Sequence, residues 1–260
     1  MRTEAASLPG SPERPNEDWA AAVLPASGTG GVVVVLDGVT PPADDDGCVH
    51  GVPWFTARLG GALTELSASR RDLTLSGILA LAIRRTADAH RNTCDLSHVR
   101  TPQATVAIAR WDETAVEHLV LSDAALLLRA PDGAVRAVLD DRLDRVPVEV
   151  LRSREATDRL RNREGGFFTA AADPSVADRA VTGTTPRAQV RALAALSDGA
   201  SRWVELFREG DWAGLFDVLD EEGARGLLQR VRALEAAAAA AGDARRWKLH
   251  DDATAVHALL

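Results

Sequence analysis

"VVVVLDG", residues 32–38, decides the fold. Four valines and a leucine in succession are β-formers that pack against a core, and they read as a buried strand. The strand stops at Asp37-Gly38. Asp-Gly is also common turn chemistry, because glycine supplies the positive φ of tight turns. On its own, the pair reads as a turn.

The form recurs. "LAALSDG", residues 193–199, is a second apolar run ending in Asp198-Gly199, and "ATAVHAL", residues 253–259, follows Asp251-Asp252. Three apolar strands far apart in sequence each carry aspartate at one end. Aspartate is seldom buried unless paired or metal-bound. Two readings stand side by side: three unrelated, solvated turns, or one convergent cluster whose mutual repulsion a hard divalent cation would relieve. Mg2+ and Mn2+ suit an all-oxygen donor set. The glycines would then allow close backbone approach, with the Gly38 carbonyl as a further ligand.

The 260-residue chain can bury a sizeable core, and its 46% hydrophobic and 26% charged residues describe an ordinary globular protein. A net charge of −8 argues against a nucleic-acid partner. The N-terminal stretch lacks the apolar segment of a signal peptide, and no apolar run approaches the ~20 residues of a membrane span. A cytoplasmic, monomeric enzyme or regulator is expected. Cys48 and Cys94 look too few and too isolated for a disulfide framework or a zinc site, and the six histidines show no ligand-like spacing.

Residues 19–25 and 31–37 form a predicted hairpin through Ala26–Gly30. A polar stretch with Pro41, Pro42 and Asp44-Asp45-Asp46 follows, then two amphipathic helices: Phe55, Leu59, Ala62, Leu63 and Leu66, and Leu75, Ile78, Leu79, Ala82 and Ile83. Strands are predicted at 104–110, 114–121, 124–130 and 134–140, the last two joined by Pro131-Asp132-Gly133. Residues 149–164 read as a charged, solvated helix. The C-terminal third carries helices, an alanine run at 236–241 closed by Gly242, and the last strand. Grouped strands with helix pairs favour antiparallel sheets with helices outside. One domain spans residues 1–260, and residues 1–13 are expected to be a flexible N-terminal segment.

The order of Arg14-Pro15-Asn16-Glu17-Asp18, VLDG with Asp37, SDG with Asp198 and DDAT with Asp251 resembles the PPM-type (type 2C) metal-dependent serine/threonine protein phosphatases. Ala104-Thr105 and the Ser122-Asp123 turn fall between these motifs, in the places of that family's small-residue/Thr segment and Gly-Asp-Ser-Arg turn. The resemblance runs from about residue 14 to the C-terminus. It implies an α+β fold, a four-layer αββα sandwich of two antiparallel β-sheets flanked by helices. It also implies two Mg2+ or Mn2+ ions and hydrolysis of phosphoserine and phosphothreonine on proteins by a metal-bridging water. Carried over, Asp37 bridges the ions with the Gly38 carbonyl, Asp198 and Asp251 complete one shell, Asp18 holds the second ion through water, and Arg14 clamps phosphate. Asp123 would be the remnant of a third metal site.

The chain departs from the pattern in four places. Arg14 lies one residue nearer the Glu-Asp pair, Val39-Thr40-Pro41-Pro42 replaces a glycine-rich continuation, Ala124-Ala125 follows Asp123, and Arg202 stands where an aspartate is usual. The last implies loss of the third metal and an Asp123–Arg202 ion pair instead. A pseudophosphatase that keeps the fold as a binding module is the alternative function, and a phosphatase for small metabolites a third. His250, beside Asp251, is a lesser candidate for general acid.

Overall fold

The structure, a computed structural model, describes residues 1–41, 46–242 and 249–260; Pro42, Asp44 and Asp45 of the polar stretch lie outside the described residues. The strands are β1 (Arg2–Leu8), β2 (Trp19–Val23), β3 (Gly31–Gly38), β4 (Ala104–Trp111), β5 (Ala115–Leu121), β6 (Ala125–Arg129), β7 (Val135–Val138), β8 (Val181–Pro186), β9 (Ala192–Leu196) and β10 (Ala253–Leu259). The helices are α1 (Val52–Ser69), α2 (Leu75–His90), α3 (Val148–Leu151), α4 (Arg154–Leu160), α5 (Asp198–Glu205) and α6 (Trp212–Ala240), the last kinked at Gly223.

Two five-stranded sheets form, in the orders β1-β10-β9-β6-β7 and β2-β3-β4-β5-β8, and the paired strands are antiparallel. The valine run shows why four layers result. Val32, Val34 and Leu36 pack against Phe55, Leu59 and Leu63 of α1, while Val33 and Val35 face the other sheet through Leu193, Ala195 and Val256. A strand apolar on both faces needs cover on both faces. The second sheet has its own cover: Leu127, Ala194 and Ala255 pack against Leu215, Phe216 and Leu227 of α6. The predicted αββα sandwich is the observed architecture.

Two expectations change, and one further strand appears. Residues 2–8 are not a flexible segment. They form β1, paired with β10 from Arg2↔Leu259 to Leu8↔Ala253, with a 2.7 Å bond between the Ser7 and Thr254 hydroxyls. A short strand at a sheet edge buries little and shows no strong periodicity. The same reason conceals β8, whose threonine-rich residues pair along the edge strand position beside β5. Residues 149–164 are not one solvated helix. Ser153 caps a new start by accepting the Ala156 amide at 3.3 Å, which splits the segment into α3 and α4.

Because β1 covers the β10 edge, deleting residues 1–8 should lower Tm by several degrees, at roughly 2–4 °C per kcal/mol lost for a chain of this size. A thermal melt unchanged by the deletion would mean that the segment contributes nothing to the sheet.

Candidate functional site

Period two along β3 continues the inter-sheet face from Val33 and Val35 to Asp37, so its carboxylate emerges at the end of the sheet-to-sheet core. Along β9 the same rule carries Leu193 and Ala195 to Ser197. The Ser197 hydroxyl donates to Asp18 Oδ2 at 2.8 Å and accepts the Thr254 amide at 2.9 Å, linking three chain segments. Asp198 opens α5, and its amide reaches Asp37 Oδ2 at 3.4 Å.

The two glycines of the Asp-Gly pairs do not make turns, since neither has a positive φ. Each permits a close approach. A Cβ on Gly38 would lie 2.6 Å from the Glu17 carbonyl oxygen and 2.4 Å from Val52 Cγ1, and one on Gly199 would lie 2.0 Å from the Asp252 carbonyl oxygen. Asp252 fastens the approach to Asp18 from the other side, accepting the Gly10 and Glu17 amides at 2.7 Å each. On the β5–β6 turn, Ser122 has φ +66° and gives its amide to Asp140 Oδ2 at 2.8 Å, which sets Asp123 beside the cluster.

Asp18, Asp37, Asp123 and Asp198 thus converge. Burial first, then the charges of Asp198, Asp18 and Asp123, hold the Asp37 carboxyl well above the usual carboxylate range. Burial, reinforced by Asp198, pushes Asp18 and Asp123 up to about 7. Asp18 Oδ1, Asp123 Oδ1, Asp198 Oδ1 and Thr105 Oγ1 are buried without a protein hydrogen-bond partner. Orphaned carboxylate oxygens that repel one another match the all-oxygen coordination of a hard divalent cation, so the residues fit Mg2+ or Mn2+.

Asp251 stands apart from these four. Its Oδ2 accepts from Arg202 Nη2 at 2.9 Å, and Arg202 Nη1 donates to Glu235 Oε1 at 2.6 Å. The expected Asp123–Arg202 pair is therefore not formed. Arg202 lies on α5 and turns to α6 and to the start of β10, where the buried Glu235 and Asp251 both require a cation. His250 also joins this group: its Nδ1 is 3.0 Å from Glu235 Oε2.

Above the carboxylates opens a cleft of about 630 Å³ lined by Arg14, Asp37, Asp123, Asp198 and Asp251, among others. Three further arginines on its wall, Arg100, Arg154 and Arg161, were not singled out in the sequence. Arg161 donates to Gln103 Oε1 at 3.3 Å and packs 5.1 Å from the Phe167 ring. No local motif marked it, because one arginine in an arginine-rich segment carries no signal until that segment is placed.

Solved structures similar to this chain include the serine/threonine phosphatase Stp1 from Staphylococcus aureus, with a TM-score of 0.66 at 12% identity over 100% of this chain and 95% of that one. The fold is that of the PPM-type serine/threonine phosphatases. PppA, a regulatory component of T6SS in Pseudomonas aeruginosa, shares the phosphatase fold with a TM-score of 0.59 at 16% identity over 98% of this chain and 96% of that one. So does the catalytic domain of the serine/threonine protein phosphatase PstP, a structure in complex with two manganese ions, at 0.58, 18%, 98% and 96%. No protein-family model and no curated protein matches the chain.

Two consequences are measurable. Asp18 and Asp123 have their pKa raised from 3.8 to about 7 by folding. The folded, metal-free protein then binds more protons than the unfolded chain between about pH 4 and 7, so their contribution to stability is lost as pH rises through that window. Mn2+ should therefore raise Tm more at about pH 8 than at about pH 5.5; equal shifts would contradict the raised values. Arg202→Ala removes the guanidinium shared by Glu235 and Asp251 while Glu235 keeps Arg232 and His250, and should cost about 1–3 kcal/mol in urea denaturation. Because it also removes the cation that competes for Asp251, calorimetry should show tighter Mn2+ binding to this variant.

Proposed function

We propose that this chain is a divergent PPM-type, Mg2+/Mn2+-dependent phosphomonoesterase acting on phosphoserine and phosphothreonine in proteins. One observation carries the reading: buried, unpartnered carboxylate oxygens from Asp18, Asp123 and Asp198 cluster with Asp37 at an arginine-lined cleft in this fold. The structure of PstP with two manganese ions supports two ions here.

In this reading Asp37, Asp198 and Asp251, with the Gly38 carbonyl, would hold one ion, and Asp37 and Asp18 would help to hold the second. Asp123 takes the place of a side ligand to the cluster. Two such cations supply an acidified water nucleophile and neutralise charge on the phosphoryl oxygens. The chain's own residues do the rest. Ser197 holds Asp18 by one oxygen and leaves the other without a protein partner, where it would be available to the ion or to a water the ion holds. Arg14 and Arg161 reach the cleft with planar forks suited to phosphate.

The Arg202–Asp251 bond favours a second reading, a pseudophosphatase that keeps the fold as a binding module. Aryl phosphate hydrolysis with and without Mn2+ separates the two. The enzyme reading expects Mn2+-dependent turnover that Asp37→Asn abolishes with the fold intact. A folded wild type inactive in every metal supports the binding module, and activity surviving Asp37→Asn excludes the proposed site. Arg161→Ala should raise KM roughly tenfold, the loss of one charge-assisted hydrogen bond of about 1.5 kcal/mol. Rates on phosphopeptides against a panel of phosphorylated metabolites test the protein substrate.

A further inference from the structure

Cys48 and Cys94, read as isolated in the sequence, meet in the fold. Their sulfurs are 3.1 Å apart, and His50 Nδ1 lies 3.3 Å from Cys94 Sγ and 3.7 Å from Cys48 Sγ. Among the described residues this is the group whose cysteine and histidine ligand atoms lie together within 4.8 Å. It lies where the loop before α1 meets the turn after α2, and it shares no residue with the carboxylate cluster.

The surroundings hold these three side chains in place. The Asp95 amide donates to the Gly47 carbonyl at 2.7 Å, which ties the two loops together, and the Cys48 amide donates to Asp46 Oδ1 at 2.9 Å. The Thr93 and Cys94 amides both donate to the His90 carbonyl at 3.0 Å, which fixes the turn that carries Cys94. Trp54, in the first turn of α1, stacks on the His50 ring at 4.1 Å and 26°, and His90 meets both rings edge-on. With its ring plane set by Trp54, His50 directs one nitrogen at both sulfurs.

We propose that Cys48, His50 and Cys94 form a binding site for a thiophilic divalent cation, Zn2+ before others, separate from the acidic centre. A disulfide accounts for the arrangement less well. The sulfurs stand about 1 Å beyond the bonded distance of about 2.05 Å, and a disulfide leaves the convergent imidazole nitrogen unexplained. A tetrahedral zinc with bonds of about 2.3 Å to sulfur and about 2.0 Å to nitrogen sets sulfur–nitrogen edges near 3.6 Å and a sulfur–sulfur edge near 3.8 Å. The two nitrogen edges already match within about 0.3 Å, and the sulfurs need only part by about 0.7 Å, a small change in a cysteine side-chain torsion. Three protein donors leave the fourth position to water. Thiolate and imidazole are soft or borderline donors, so the site discriminates against the Mg2+ or Mn2+ suited to the carboxylates.

The turn that carries Cys94 runs on to Arg100 and Thr101, which line the cleft, so a bound ion would brace that wall of the cleft.

The test uses cobalt as the probe. Reduced, chelator-treated full-length protein is titrated with Co2+ and followed by near-ultraviolet absorption, where thiolate-to-cobalt charge transfer appears and carboxylate-bound cobalt does not. One equivalent of such absorption is expected in wild type and in Asp37→Asn. It should vanish in the Cys48→Ser, Cys94→Ser double variant and weaken at least roughly tenfold in His50→Ala, the smallest loss seen when even a ligand's outer partner is removed. Zn2+ should displace the cobalt and raise Tm in wild type but not in the double variant. No charge-transfer band in reduced wild type, or a band that survives loss of both cysteines, overturns the proposal. So does a Cys48–Cys94 disulfide in protein isolated without reductant that yields no cobalt band once reduced.

Discussion

Mutual repulsion among Asp18, Asp37, Asp123 and Asp198 is the constraint on which the rest of the site depends. Burial disfavours the charge on Asp18, Asp37 and Asp123, and the neighbouring Asp198 raises the cost of ionising all three. A fold tolerates such a cluster only if the backbone is held by other means. Here those means are the two sheets, whose apolar strands deliver the aspartates at their ends, and neutral hydrogen bonds such as Ser197 to Asp18. The cluster is poised for an opposing charge, which is the property a metal centre requires.

The small residues around it serve the same end. Gly38 and Gly199 let the β3 end, the Glu17 backbone and the Asp252 backbone come closer than any side chain would permit. Asp252, which looked like a duplicate of Asp251, is occupied with two backbone amides and so acts as a fastener for the segment leading to Asp18. Adjacent aspartates in one motif therefore have opposite roles, one facing the cleft and one holding the chain.

Arg202 shows how a single substitution can redirect a network. A cation at this position of α5 finds two buried acids, Glu235 and Asp251, on the side away from Asp123, and pairs with both. It ties α5 to α6 and to the start of β10, and it competes for one of the carboxylates assigned to the metal centre. Structure and chemistry pull in different directions at Asp251.

Much of this was legible in the sequence. The doubly apolar "VVVVLDG" run, its echo in "LAALSDG" and the helix periodicities at 55–66 and 75–83 specify strands and helices, because hydrophobic period is a local property; the αββα layering was implied by the family resemblance. Asp37, Asp198 and Asp251 stood out from local pattern in the same way, as charges beside apolar strands, whereas Asp18 and Asp123 stood out only through the motif order of the family the chain resembles. What only the tertiary structure decided are contacts between segments remote in the chain. The partner of Arg202, the arginines on the cleft wall, the edge strands β1 and β8, and the meeting of Cys48 with Cys94 all depend on distances that no local pattern encodes. Edge strands bury too little to show a period, and an ion pair or ligand set takes its identity from whichever side chains the packed sheets bring within a few ångströms.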